Sequence, residues 1–344
     1  MFAREDRLAG VLLGTAVGDA LGLPMEGMSA AAIARRYRRI DGYSLLGRRG
    51  FVSDDTEQSA LVAACLSRHP DSLERCVRAF RRSLLGWFLR LPWGIGWGTL
   101  RACLRIALGF RHSGVSSAGN GAAMRASIVG AFFQEDATSR RAFSDALAQV
   151  THTDARAIQG ARFAAELTAL SCRASAAVER QQLVTQALEV VDDAELGTAL
   201  KLAAKLAVSD SSVEAAVQQL GCSGYVVHSA ALATFCFLRF GDAPERALVA
   251  TIRAGGDTDS NAAIIGAWLG ALHGAKGLPH ALVRSLHDGP FGPSHLRDLA
   301  SDLASAPSPE TPPRAAFFWP AALFLNLALY PVVLAHAVRV LAAR

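Results

Sequence analysis

Along most of the chain, apolar positions return every three or four residues, the spacing that turns one face of a helix toward a core. "SDALAQVTHTDARAIQGARFAAELTAL" and "AELGTALKLAAKLAV" keep that period over several turns. No run alternates Val, Ile, Thr or Tyr with polar residues as a half-buried strand requires. The pattern predicts an all-α, multi-helix fold. Two of its helices carry a second period. Gly10, Gly14, Gly18 and Gly22 recur at every fourth position, as do Ala262, Gly266, Gly270 and Gly274, so each helix bares one face of backbone. A glycine costs a helix interior about 1 kcal/mol relative to alanine. Such a run therefore predicts a neighbouring helix packed unusually close.

Polar chemistry collects where the apolar pattern breaks. "SDDT" (Ser53 to Thr56) opens one helical run, and "GGDTDSN" (Gly255 to Asn261) opens another. Asp, Ser or Thr before a helix serves as a cap for its free N–H groups. One cap uses one such residue. Here Asp54 and Asp55 stand with Ser53, and Asp257 and Asp259 with Ser260, each a hard-oxygen set suited to Mg²⁺, Mn²⁺ or Ca²⁺. Adjacent carboxylates repel unless a cation lies between them, so two such sets in one chain favour a shared metal site. A third stretch, "SSAGNGAAMRASIVG" (Ser116 to Gly130), places small residues before a helix expected to start near Ala122. It is either an approach for an anion such as a diphosphate or simply a turn. A fourth, "THTD", puts His152 ahead of another helix, as a cap, a core residue or a functional group.

Composition narrows the class. The chain has 344 residues, 51% of them apolar, enough to bury a sizeable core. The net charge of +5 is spread out, with no Lys/Arg run and no interleaving of aromatic and basic residues, so no nucleic-acid partner is expected. The six cysteines form no CxxC pair and lie in apolar, helix-like runs, as reduced thiols in a cytoplasmic protein do. "MFAREDRLAG" is charged, and the apolar run after it is broken by Asp19, so no secretory signal is expected.

Taken in order and spacing, "GVLLGTAVGDALGLPMEG", "SDDT", "GNGAAMR", "THTDARAIQGA" and "GGDTDSNAAIIGAWLGALHG" resemble the ADP-ribosylglycohydrolase family, from about residue 8 to about residue 303. The resemblance implies an all-α domain built around two divalent cations, Mg²⁺ or Mn²⁺. It implies an enzyme that removes ADP-ribose from an ADP-ribosylated protein, arginine-linked ahead of serine-linked, and releases ADP-ribose. Position by position, it implies Ser53, Asp54, Asp55, Asp257, Asp259 and Ser260 as metal ligands. Asp54, Asp55 and Asp257 would also orient or deprotonate water, with Glu26 of "LPMEG" as a mobile orienting group or acid/base. Ser117, Gly119, Asn120, Gly121 and His152 would line the ADP-ribose pocket. Ser53 and Ser260 stand where threonine is common in the family, a departure that bears on metal preference. Two other readings use the same carboxylates. An inactive ADP-ribose-binding or immunity-type module would lack an acidic ligand, and none is missing; a metal-dependent nucleotide phosphohydrolase would release phosphate or AMP.

The family resemblance accounts for residues 1–303 as one domain. Residues 304–314 have a linker's Pro/Ser composition, and residues 315–344 form a hydrophobic tail, uncharged from 315 to 338. At ~1.5 Å per residue that run spans a ~30 Å hydrocarbon core. Phe317, Phe318 and Trp319, with flanking Arg314, Arg339 and Arg344, suit membrane interfaces. Pro320, Asn326, Pro331 and His336 instead suit a broken helix folded onto the domain or onto a second subunit. The expectation is a cytoplasmic hydrolase held at the membrane by a tail that takes no part in the chemistry.

Overall fold

The computed structural model describes residues 3–174, 179–305, 314–315 and 318–341. Among the described residues the chain is helical, with isolated bridges such as Val115 to His152 and Gly119 to Tyr225, and no strand. Its axis is the pair of glycine-bearing helices, Arg4–Gly22 and Thr258–His273, which run antiparallel in backbone contact. A Cβ built on Gly10, Gly14 or Gly18 would run into the carbonyl oxygen of Gly270, Gly266 or Ala262. The two small-residue stripes predicted to need a close neighbour are therefore each other's neighbour. Gly274 does something else: with φ 69° it closes the second helix as its C-cap.

The apolar faces of Asp54–Arg68, Ala155–Arg173, Val226–Phe240 and Pro293–Ala304 contribute to the same core as this pair. The first helix is long and apolar enough to cross a membrane, and its apolar stretch is wholly buried in the domain. All six cysteines are free, five of them buried. One expected element starts later than its sequence suggests. The helix placed near Ala122 begins at Ser127, after a 3₁₀ turn at Asn120–Ala122, because Asn120 N–H and Val226 N–H bond across the gap to Gly224 and Ala118 and hold the segment open.

Most of the linker, residues 306–313, lies outside the described residues, as do Phe317 and Arg344. The tail itself is one helix, Trp319–Leu341, with Pro331 inside it. Its inner face lies on the domain: Leu329 is buried with Leu23 and Trp93 in a small apolar cluster of its own. Trp319 Nε1 donates to Gly86 O (2.9 Å), Asn326 Nδ2 to Arg90 O (3.0 Å) and Tyr330 Oη to Pro92 O (3.4 Å). The outer face, with Phe324, Leu327, Leu334 and Val338, is exposed and apolar.

Candidate active site

Where Ser or Asp precedes a helix elsewhere in the described residues, its side chain caps that helix. Ser72 accepts from Arg75 N–H, Asp154 from Arg156 N–H and Asp193 from Leu196 N–H. The two acidic helix starts depart from that habit: neither Ser53 nor Asp257 makes a side-chain cap bond. The work is done for the first of them by Asp19, a residue of the central Arg4–Gly22 helix. Its fully buried carboxylate accepts from Ser53 N–H (2.9 Å), Ser53 Oγ (2.7 Å), Thr56 N–H (3.2 Å) and Thr56 Oγ1 (2.5 Å). Asp54 and Asp55 are thereby released from capping and turn elsewhere. Sequence reading met Asp19 only as a break in an apolar run; its signal is a lone acid in the buried stretch that follows the helix's charged first turn. Asp19→Ala would strand four donors at a buried helix start. It is expected to cost about 3 kcal/mol of stability, read by urea denaturation; a loss below about 1 kcal/mol would mean that the helix start is held some other way.

The carboxylates that Asp19 frees meet those of the second acidic start. Asp54 accepts from Gln58 Nε2 (2.9 Å), and Asp55 accepts longer bonds from Ser53 Oγ and Ser260 Oγ (both 3.3 Å). Asp257 accepts from Asn120 Nδ2 at 2.7 Å. Burial first, then repulsion from neighbouring acids, pushes Asp54, Asp55 and Asp259 well above the ordinary carboxylate range. Glu26 stands exposed at the rim, yet desolvation and the charges of Asp257 and Asp19 push it up to about 7. Its segment is fastened to the second acidic loop by Gly27 N–H to Gly256 O (2.8 Å) and Gly256 N–H to Met28 O (2.9 Å). Gly255 and Gly256 both sit at positive φ, 77° and 75°, where other residues are strained.

Opposite the acids stands the small-residue loop. Glu26, Asp54, Asp257, Asp259 and Ser260 share one cavity of about 570 Å³ with Ser117, Gly119, Asn120, Gly121 and His152. Ser53 and Asp55 lie behind its wall, Ser53 with its hydroxyl engaged by Asp19. His152 is buried, with Nδ1 against Thr151 Oγ1 (2.7 Å) and Nε2 toward the glycines. Burial and the nearby Arg125 and Arg101 push it down to about 3, so at neutral pH it is uncharged. Arg125, itself buried, fastens these walls together: it donates to Gln58 Oε1 (3.0 Å), to Gly121 O and to Thr151 Oγ1 (2.6 Å). Sequence reading missed a whole wall, Gly94 to Thr99 of "PWGIGWGT" with Trp97 standing out into solvent. Only its glycine spacing could have flagged it.

Among the described residues, no three His, Cys, Asp or Glu side chains form a group that could hold a metal ion in this conformation. The donor set nevertheless fits a hard cation. Asp55 Oδ1 and Asp259 Oδ1 are buried without a hydrogen-bond partner, an arrangement that costs free energy unless something positive meets them.

The sequence profile of the ADP-ribosylglycohydrolase family matches residues 3–312. The chain belongs to that family and is a hydrolase of ADP-ribosylglycohydrolase type. It is 31% identical over 308 residues to an uncharacterised protein of Archaeoglobus fulgidus, covering 87% of this chain and 96% of that one. It is 33% identical over 134 residues to the ADP-ribosyl-[dinitrogen reductase] glycohydrolase of Rhodospirillum rubrum, covering 35% of this chain and 42% of that one. Among solved structures, an ADP-ribosylglycohydrolase-related protein complex superposes with a TM-score of 0.66 at 24% identity, over 88% of this chain and 98% of the other, a likeness of fold.

Proposed function

We propose that this protein hydrolyses the glycosidic bond between ADP-ribose and a modified protein side chain, arginine-linked in preference to serine-linked, and releases ADP-ribose. The observation that carries the reading is the meeting of two acidic helix starts, with spare buried oxygens on Asp55 and Asp259, across one cavity from a glycine-lined loop. Asp54, Asp55, Asp257 and Asp259, with the hydroxyls of Ser53 and Ser260, would hold two Mg²⁺ or Mn²⁺ ions. When bound, such ions supply the positive charge that grips a ribose diol and lower the pKa of water.

The chain's own groups do the rest. Gly119 and Gly121 leave room for the ribose and diphosphate beside neutral His152, which offers no charge to compete with the acids. Asn120, held by Asp257 and by Ser229 Oγ (2.9 Å), fixes the loop's register against the carboxylates. Asp54 and Asp257, which both line the cavity, orient or deprotonate the attacking water. Glu26, at the rim of the same cavity, is placed to pass a proton to the departing nitrogen or oxygen.

Incubation with Mg²⁺ or Mn²⁺ and proteins ADP-ribosylated on arginine or serine, followed by mass analysis, should give intact ADP-ribose, faster from arginine. ADP-ribose bound without release would mean an inactive binding module, AMP or phosphate would mean a phosphohydrolase, and a faster serine reaction would reverse the acceptor assignment. Metal binding has its own readout. Groups whose folded pKa is raised lend stability at low pH that is lost as pH rises, so metal-free protein should melt lower at pH 8 than at pH 6. Mg²⁺ or Mn²⁺ at about 100 times its Kd should add about 2.7 kcal/mol, with affinity greater at pH 8, where fewer protons compete. A melting temperature that neither ion moves would count against the ligand set.

The tail belongs to the same proposal. Its outer face is apolar from Phe324 to Val338, and Arg314 stands at its entry, so it suits the surface of an anionic bilayer, holding the cytoplasmic enzyme there with its axis in the plane. Full-length protein should sediment with phosphatidylglycerol vesicles and stay with them in high salt; protein left in the supernatant would remove this assignment.

A further inference from the structure

Beside the catalytic cavity lies a second one, of about 290 Å³, and the two share Glu26, Gly27 and Gly94. One wall comes from the domain, through Leu23 and Trp93; the other comes from the tail helix, through Val333 and Ala337. His336 adds a second polar group at the tail side. The tail helix starts at Trp319, beyond the residues 3–312 that the family profile matches, so this wall lies outside the matched family region. The tail is pinned in that place by the bonds of Trp319, Asn326 and Tyr330 to the carbonyls of Gly86, Arg90 and Pro92.

The scissile bond has two sides, and each needs room. Hydrolysis breaks the bond from C1″ to the acceptor's nitrogen or oxygen; water supplies hydroxyl to C1″ and a proton to the acceptor. The larger cavity, with its glycine loop, suits the ADP-ribose side. The acceptor must then lie past Glu26, where the smaller cavity opens. Water in an apolar chamber is readily displaced by apolar groups, so the walls favour an acceptor that carries an alkyl or aromatic group next to its modified side chain.

The geometry points to the smaller cavity as the acceptor subsite, with the tail helix as its specificity-determining wall. This assignment rests on the proposed hydrolysis, and it departs from the expectation that the tail stands apart from the chemistry. It names Val333 and Ala337 as residues that select substrate while touching neither the ADP-ribose nor the acids.

Two conjugates test it: ADP-ribosyl-arginine, and the same conjugate with a benzoyl group on the arginine α-amine. The full chain should favour the benzoylated conjugate about tenfold or more in kcat/KM, the gain expected from burying one ring. Ala337→Trp and Val333→Trp, which fill the chamber, should bring that ratio to about one. Both rates come from the same variant, so any general loss of fold or activity cancels. A ratio near one in the unaltered chain, or a preference that survives both substitutions, overturns the assignment. A second measurement does not depend on turnover. Titrated with benzoyl-arginine alone, the His336 ring resonances should shift in the unaltered chain and stay still in Ala337→Trp. Resonances that stay still in the unaltered chain overturn the subsite even if ADP-ribose is released, whereas a shift without any hydrolysis keeps the subsite and removes the proposed reaction.

Discussion

Asp54→Asn and Asp257→Asn are each expected to lower hydrolysis by roughly a thousandfold or more while leaving the helical content unchanged. Both residues line the cavity, and neither caps its helix, so the change removes charge from the site without taking a hydrogen bond from the fold's frame. Asparagine keeps an oxygen for Gln58 at position 54 and for Asn120 at position 257, so the local contacts survive. Burial and repulsion already push Asp54 up, so its loss should if anything relieve the metal-free protein. The two effects separate function from stability: single-turnover rates should collapse while the metal-free melting temperature holds or rises. Turnover within about tenfold of the unaltered enzyme in either variant would sink the assignment of these acids.

The second large effect falls on stability. Gly14→Val should destabilise the protein by about 3 kcal/mol or more and leave little folded material, because its Cβ would occupy the place of Gly266 O. Nothing flexible can yield there, since the obstruction is backbone, and separating the two helices would open the core along its whole length. Gly197→Ala is the contrast. Its added Cβ meets only Val191 Cγ1 at 3.9 Å, within the helix Ala194–Val208, so it should be neutral or stabilising by up to about 1 kcal/mol. Thermal and urea melts of the two variants read the difference directly. A Gly14→Val protein that melts within a few degrees of the unaltered one would mean that the central pair is not in backbone contact.

These variants mark how far local pattern reaches. The stripe at Gly10, Gly14, Gly18 and Gly22 is legible because glycine in a helix is costly and needs a reason. Its partner is not, since any bare backbone face would satisfy the same steric demand. Asp54, Asp55, Asp257 and Asp259 stood out as acids in excess of what two caps require. Their release from capping depends on Asp19, whose carboxylate reaches Ser53 and Thr56 only because the central helix passes that point. Arg125 read as one residue of a turn motif; its bonds to Gln58, Gly121 and Thr151 join three walls that local sequence treats separately.

Helical class, the glycine stripes, the acidic helix starts and the uncharged tail were determined by the sequence alone, because each is a matter of spacing within one or two turns, where side-chain direction follows from the helix itself. The tertiary structure decided which stripe meets which, that an acid from one helix caps another, that Gly94 to Thr99 close the cavity, and that the tail's inner face stands beside Glu26. Those outcomes are contacts between residues far apart in the chain. They depend on shape and burial summed over the whole core, which no local period records.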